Sequence, residues 1–513
     1  MSVRNPILPG FHPDPSILRV GDDYYLATST FEWMPGVRLH HSRDLMNWRP
    51  LGGVLDTDRL LRLDGVPDSG GVWAPCLSHA DDTFYLVFTN VAAYAGGFWD
   101  VPNYLVTAPS ISGPWSEPVP LHARGFDPSL FHDGERSWLL TNDLDWRPGR
   151  HWSAGIIAQE LDRTTGKLIG EPVTIYRGSG APYTEGPHLY RHDGWYLLVT
   201  AEGGTGYEHQ VTVARSRHVL GPYDSGTRML SAVDDPDWPL QKAGHGSLVD
   251  TPDGRWYLAF LTARPLTPRG ACVLGRETAL APVQWQDGWP VIADGLPPLE
   301  FADPGTPHPL PADQRVLGPQ WSTLRRPATA DWITTVDGDG VRLHGGRSPF
   351  SRFGPSLAAR RVTALRTRFA ATVAFDPRTP QHLAGLTAYY NTRNWYYAAV
   401  TWDEHAGRCL TLLTCDRGVL NRAEPVPLPG SDPVPVAVAF DGDRVRFSYG
   451  PTGTPLGPDL DATVLSDEHA LETDPHGVPA VWGFTGAFVG LWAHDLTGDG
   501  RPAEFRDITH IDL

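Results

Sequence analysis

Along the first three hundred residues, apolar and polar positions alternate in short runs that come in pairs. Five segments share one form: an apolar run, a turn, and an aromatic-aliphatic run. They are DPSILRVGDDYYLATST from Asp14, APCLSHADDTFYLVFT from Ala74, DPSLFHDGERSWLLTN from Asp127, GPHLYRHDGWYLLVT from Gly186 and HGSLVDTPDGRWYLAFL from His245. Their starts lie 60, 53, 59 and 59 residues apart. Asp-Gly between two such runs (133–134, 193–194, 253–254) is a hairpin signal, because tight hairpin turns need positive φ at their centre. A second hairpin follows in most units, at 40–48, 107–115 and 214–223. Each unit therefore supplies about four strands, and helical periodicity is almost absent.

A fixed repeat of this length, with four strands per unit, predicts an all-β chain opening with a five-bladed β-propeller. In a propeller the innermost strand of each blade starts near the central axis. Asp14, Ala74, Asp127, Gly186 and His245 stand at those starts, with Trp73 and Glu185 one place earlier. Pro13 and Pro15 flank Asp14, and the steric demands of proline predict a stiff, extended segment there. The propeller is expected over 1–300. Residues 301–320, FADPGTPHPLPADQRVLGPQ, read as a proline-rich linker. The alternating stretches after it (365–375, 383–402, 434–450) lack the repeat, so 321–513 is expected to form a separate antiparallel β-sandwich.

Composition narrows the function. The 513 residues carry a net charge of −17, which argues against nucleic acid or an anionic membrane surface as partner. The N-terminus shows no apolar signal-like stretch, and no run approaches the roughly 18 apolar residues of a membrane span. The four cysteines form no CxxC pair, and Cys409 and Cys415 share one extended run that holds them apart. Reduced thiols and a cytoplasmic location are the expectation.

Three carboxylates converging on one axis, Asp14, Asp127 and Glu185, beside aromatic side chains, suit glycoside hydrolysis. One carboxylic acid must protonate the leaving oxygen while a carboxylate acts on the other face of the sugar. The acid needs a raised pKa, which burial or a like charge supplies. Arg276 interrupts an apolar stretch; it could hold sugar hydroxyls or a pocket carboxylate, or pair with Glu277 or Asp127. His245 could ligate a metal, bond a water or fill the channel, and one histidine is a weak metal signal. Phe31, Trp33, Trp73 and Phe126 are candidates for a sugar-binding wall. The glycine-rich stretch 201–209 lacks the strand–glycine–helix setting of a phosphate loop.

Read together, NPILPGFHPDPSILRVGDDYYLATSTFEW, SGGVWAP, GFDPSLFHD, YTEGPHLY, AGHGSLV and LGRETA resemble glycoside hydrolase family 43, nearest its two-domain β-xylosidases. The resemblance covers nearly the whole chain and is looser in the C-terminal part. It implies an inverting, exo-acting enzyme that releases xylose from the non-reducing end of short β-1,4-xylo-oligosaccharides. By the same resemblance Asp14 would be the general base and Glu185 the general acid, with Asp127 raising the acid's pKa and orienting it. Phe31, Trp73, Phe126, His245 and Arg276 would form the xylose pocket. A sandwich phenylalanine, Phe488 or Phe484, would close it. The stretch 142–152 departs from the family pattern, with Trp146 the candidate for an outer subsite. No cofactor is required on this reading, although a calcium ion at the axis with His245 as ligand is entertained. Related two-domain enzymes imply a homodimer or tetramer. The alternatives are an α-L-arabinofuranosidase or bifunctional enzyme on the same scaffold, and a non-catalytic sugar-binding propeller. A retaining fructan hydrolase would show Arg-Asp-Pro and Glu-Cys where this chain has Phe126-Asp127-Pro128 and Glu185-Gly186.

Overall fold

The computed structural model describes residues 2–95, 98–302, 308, 313, 315–476 and 479–513. Much of the expected linker (303–307, 309–312 and 314) lies outside the described residues. Each of the five repeats forms one four-stranded antiparallel sheet whose strands lie side by side in chain order. The innermost strands are Ser16–Val20, Gly71–Ala80, Ser129–Asp133, Glu185–His192 and Gln241–Asp250. They touch one another in chain order, and the fifth returns to the first, closing the ring.

The alternation of side chains explains why both runs of each hairpin are apolar. Successive residues of a strand point to opposite faces, and a blade is buried on both. In the second blade Leu86 and Phe88 pack toward the first blade, whereas Tyr85 and Val87 pack toward the third. In the fourth, Leu198 faces the third blade, and Leu197 and Val199 face the fifth. Five separate hydrophobic clusters result, one per blade interface. The ring is fastened where its ends meet. Ser2–Arg4 pairs with Glu300–Ala302. The Asn5 side chain donates to the carbonyls of Leu280 (2.8 Å) and Pro298 (2.7 Å) and accepts from Leu280 N (2.9 Å).

The C-terminal sandwich packs two antiparallel sheets over one large apolar core. One sheet runs from Val419–Arg422 through His382–Asn391, Phe488–Asp495 and Ser356–Arg361 to Ser322–Leu324. Its last strand, Trp33–Met34, belongs to the propeller half of the chain, pairing Met34 with Thr323 and Trp33 with Leu324. The two halves are thus stitched through a shared sheet. This overturns the expected place of Trp33 in a sugar wall: it is fully buried and stacks on Phe488, ring centroids 3.9 Å apart. All four cysteines are free and buried. Among the described residues no helix is long and apolar enough to cross a membrane.

Candidate active site

Where the inner strands begin, the propeller opens into a cavity of about 720 Å³ that holds Asp14, Asp127, Glu185, His245 and Arg276 in its wall. The backbone puts them there by a repeated device. Asp14 (φ 55°), Asp127 (φ 54°), Gly186 (φ 53°) and His245 (φ 47°) are all left-handed. The expectation of an extended Asp14 is therefore wrong. The prolines disfavour right-handed helical geometry, but a left-handed aspartate, whose short side chain bonds locally, remains open. Register shifts follow at Trp73/Cys76, Glu185/His188 and Gly244/Ser247. Such bulges let a strand leave its ladder and re-aim a side chain. At Gly186 a Cβ would also stand 3.0 Å from the His245 ring, so any larger residue there needs the ring to give way.

Each acid has a distinct environment. Ser29 Oγ donates to Asp14 Oδ2 at 2.6 Å, while Arg276 Nη1 and His245 Nδ1 stand 3.5 and 3.6 Å from Oδ1. Burial, with Asp14 as a like charge, pushes the Glu185 carboxyl up to about 8, and the Arg276 guanidinium offsets part of this. Burial and the two neighbouring carboxylates raise Asp127 well above the usual range, against a hydrogen bond from the Gly186 backbone. Burial lowers His245, which stays neutral near pH 7. One carboxylic acid held protonated beside a second carboxylate is the division of labour that glycoside hydrolysis requires.

Arg276 joins three parts of the site. Besides facing Asp14, it donates to Thr205 Oγ1 (2.8 Å) and to the Phe484 carbonyl (3.1 Å). Its guanidinium lies 5.4 Å from the Phe31 ring centre and 5.1 Å from that of Phe484. Of the alternative partners, Glu277 takes a two-point contact from Arg264 instead, both at 2.7 Å. The walls are aromatic. Trp73 meets Phe31 (6.1 Å), Phe126 (5.2 Å) and Phe484 (5.5 Å) between ring centres. Further out, Trp99 meets Trp152 at 4.7 Å, and Trp482 stacks on Phe484 at 5.0 Å.

Residues 3–290 match glycosyl hydrolases family 43, and residues 313–509 match the β-xylosidase C-terminal concanavalin A-like domain. The chain belongs to glycosyl hydrolase family 43. It is similar to a xylosidase/arabinosidase 43B from Humicola insolens, 44% identical with 98% of this chain and 96% of the relative covered. It is also similar to a β-xylosidase from Bacillus subtilis (strain 168), 40% identical with 99% of each chain covered. The crystal structure of a xylan β-1,4-xylosidase from Bacillus halodurans C-125 superposes with a TM-score of 0.94, 43% identity, and 99% and 100% of the two chains covered.

Against this family-43 framework, the structure gathers Asp14, Asp127, Glu185, Phe31, Trp73, Phe126, His245 and Arg276 at one cavity. Two expected residues are elsewhere. Phe488 is buried against Trp33, so the sandwich residue in the cavity wall is Phe484, four positions earlier. Trp146 is 46% exposed against Phe98 (5.5 Å) and lies outside the cavity lining, where Trp152 of the same stretch stands instead. Trp99, Tyr183, Thr205 and Trp482 were missed as wall residues. A signal existed for Thr205 and Trp482: the glycine run 203–206 leaves its blade at the axial side, and Trp482 opens the WGFTGAF segment. Trp99 and Tyr183 sit in irregular loops with no repeat partner to flag them.

A calcium ion with His245 among its ligands would need further oxygen donors. Such an ion takes six to eight oxygens. Here the nearby carboxylate, Asp14, already faces a guanidinium, and the described residues hold no group of three or more acidic, histidine or cysteine ligands arranged for a metal.

Proposed function

We propose that this family-43 protein is an exo-acting, inverting β-xylosidase releasing xylose from the non-reducing end of short β-1,4-xylo-oligosaccharides. The observation carrying this reading is the convergence of three buried carboxylates, with Glu185 and Asp127 pushed above the usual range, on one aromatic-walled cavity. On this reading the propeller (1–300) carries the chemistry and the sandwich (321–513) supplies Phe484 and Trp482 as a cap. Glu185, protonated near neutral pH, gives its proton to the glycosidic oxygen as the C1–O bond breaks. Asp14 takes a proton from a water whose oxygen attacks C1 on the opposite face. A carboxyl separation of about 6.5–9.5 Å leaves room for that water. Asp127 orients the acid, whose proton affinity burial and the Asp14 charge keep high. His245, neutral, and Arg276 bond sugar hydroxyls, and Phe31, Trp73 and Phe126 pack on the ring faces.

Support comes from relatives named as xylosidases along the whole chain length. The Humicola relative's name also carries arabinosidase, so an accompanying α-L-arabinofuranosidase activity is the second reading. Four buried free thiols fit a reducing, cytoplasmic location, and a homo-oligomer is the proposed working form.

A proton NMR time course on xylobiose tests the reading. Early α-xylose is the expected outcome. Early β-xylose would mean retention and reassign Asp14 and Glu185, and absence of xylose with release from an arabinofuranoside would favour the second reading.

A further inference from the structure

Behind Asp14, where the first blade meets the sandwich, basic side chains are buried together with no acid of the described residues beside them. Arg38 and His40 come from the blade strand Gly36–Ser42, Arg361 from the sandwich strand Ser356–Arg361, and His12 from the segment leading to Asp14. All four are buried. Arg38 and Arg361 both donate to Ser322 Oγ, at 2.6 and 3.1 Å, so a single hydroxyl stands between two guanidinium groups. Their other bonds go to neutral backbone. Arg38 donates to the carbonyls of Pro319 and Trp321, and Arg361 to that of Phe11 at 2.6 Å. The His12 and His40 rings meet edge to face at 4.8 Å. Arg38 Nε, Arg361 Nη2, His12 Nδ1 and His40 Nδ1 are buried without a hydrogen-bond partner.

This arrangement is electrostatically incomplete. Histidines can shed their charge on burial, and both are pushed well below the ordinary value by burial and by the arginines. Arginine cannot lose its proton in a protein. Two buried like charges with unmet donors are unfavourable unless an anion neutralises them. Other buried arginines of this seam have one: Arg325 meets Asp68 at 2.7 Å, and Arg276 faces Asp14. No carboxylate of the described residues reaches Arg38 or Arg361. The Phe11 and Phe488 rings, 5.3 and 5.6 Å from the Arg361 guanidinium, compensate it in part, and among the described residues Arg38 has no such ring.

We propose that this seam is a binding site for a small inorganic anion of chloride size, held between Arg38 and Arg361. A cavity of about 480 Å³ lined by Arg38, Pro35, Trp321 and Thr323 provides the approach. The unmet donors, Arg38 Nε and Arg361 Nη2, are shut off from solvent, which favours a compact anion over an organic acid. The site also has a route to the carboxylates. His12 N donates to the Arg276 carbonyl at 2.9 Å, and Thr278 Oγ1 donates to the His12 carbonyl at 2.6 Å. An anion that steadies Arg38 and Arg361 would therefore steady the His12–Asp14 turn.

The test uses the full chain. Thermal unfolding is followed in sodium chloride, sodium bromide and sodium gluconate at equal ionic strength, and crystals soaked in bromide are examined by anomalous scattering. A saturable rise of about 2–6 °C in the first unfolding midpoint is expected with the halides and not with gluconate. A bromide peak is expected between the two guanidinium groups, and Arg38→Met should abolish the rise. Equal midpoints in all three salts, bromide only at the surface, or an Arg38→Met protein that keeps the full response would each overturn the proposal. Should Arg38→Met fail to fold, the wild-type titration and the bromide map decide by themselves.

Discussion

The protonation of Glu185 offers the sharpest quantitative test. An ordinary glutamic acid, with a pKa of about 4.3, is protonated in only about one molecule in 500 at pH 7. Burial and the Asp14 charge lift Glu185 to about 8, so roughly nine-tenths of the protein carries the proton at that pH. The environment thus supplies a several-hundred-fold larger population of competent acid. The perturbation is pH itself, varied from 6 to 10 with the unliganded protein as reference state, so the quantity to follow is kcat/KM. On xylobiose, whose leaving group needs a proton, kcat/KM should hold to about pH 8 and then fall tenfold per unit. On a dinitrophenyl xyloside, whose leaving group needs none, that alkaline limb should vanish. Glu185→Ala should cost about 10²–10⁴ on xylobiose and far less on the activated substrate. The same alkaline limb on both substrates, or equal losses in the variant, would refute Glu185 as the acid.

The sign of the linked stability effect is also fixed. A raised carboxyl pKa means that the folded state holds a proton the unfolded chain releases. The stability this contributes is complete below about 4.3 and lost as pH rises through about 8, an upper bound of roughly 5 kcal/mol at pH 9. Glu185→Gln should therefore raise the unfolding temperature at pH 9 and leave it unchanged at pH 4; a lower temperature at pH 9 would contradict the like-charge argument. Phe484→Ala removes the sandwich face of the cavity and should cost roughly 10–200-fold in kcat/KM on xylobiose, the equivalent of one buried aromatic contact; an unaffected rate would mean the cap is not used. Trp152→Ala should raise KM for xylotriose several-fold, whereas Trp146→Ala, outside the cavity, should change it less than twofold, and the reverse order would restore Trp146 to the site. Gly186→Ala forces a Cβ onto left-handed backbone against the His245 ring and should destabilise by about 1–3 kcal/mol in denaturant unfolding; full stability would show that the ring gives way.

The repeat alone determined the propeller. Paired alternating runs bury both faces when they stack as blades, and five similar units close a ring whose strand starts share an axis. Asp14, Asp127 and Glu185 were legible for that reason, because equivalence in a repeat becomes proximity at the centre. The backbone geometry at those starts was not. Proline neighbours suggested extension, yet the demand that each carboxylate face the axis selected left-handed turns and bulges that no local propensity announces. Trp33 likewise reads as one more aromatic beside the pocket, and only its pairing with Leu324, nearly three hundred residues away, makes it a sandwich strand stacked on Phe488. That pairing in turn leaves Phe484, not Phe488, facing the cavity. Contacts between segments without a shared period, such as Arg276 with Phe484, or Arg38 with Arg361 through Ser322, arise from the docking of two folded units. Periodicity encodes which face of a strand is buried, but not what the other unit brings to it.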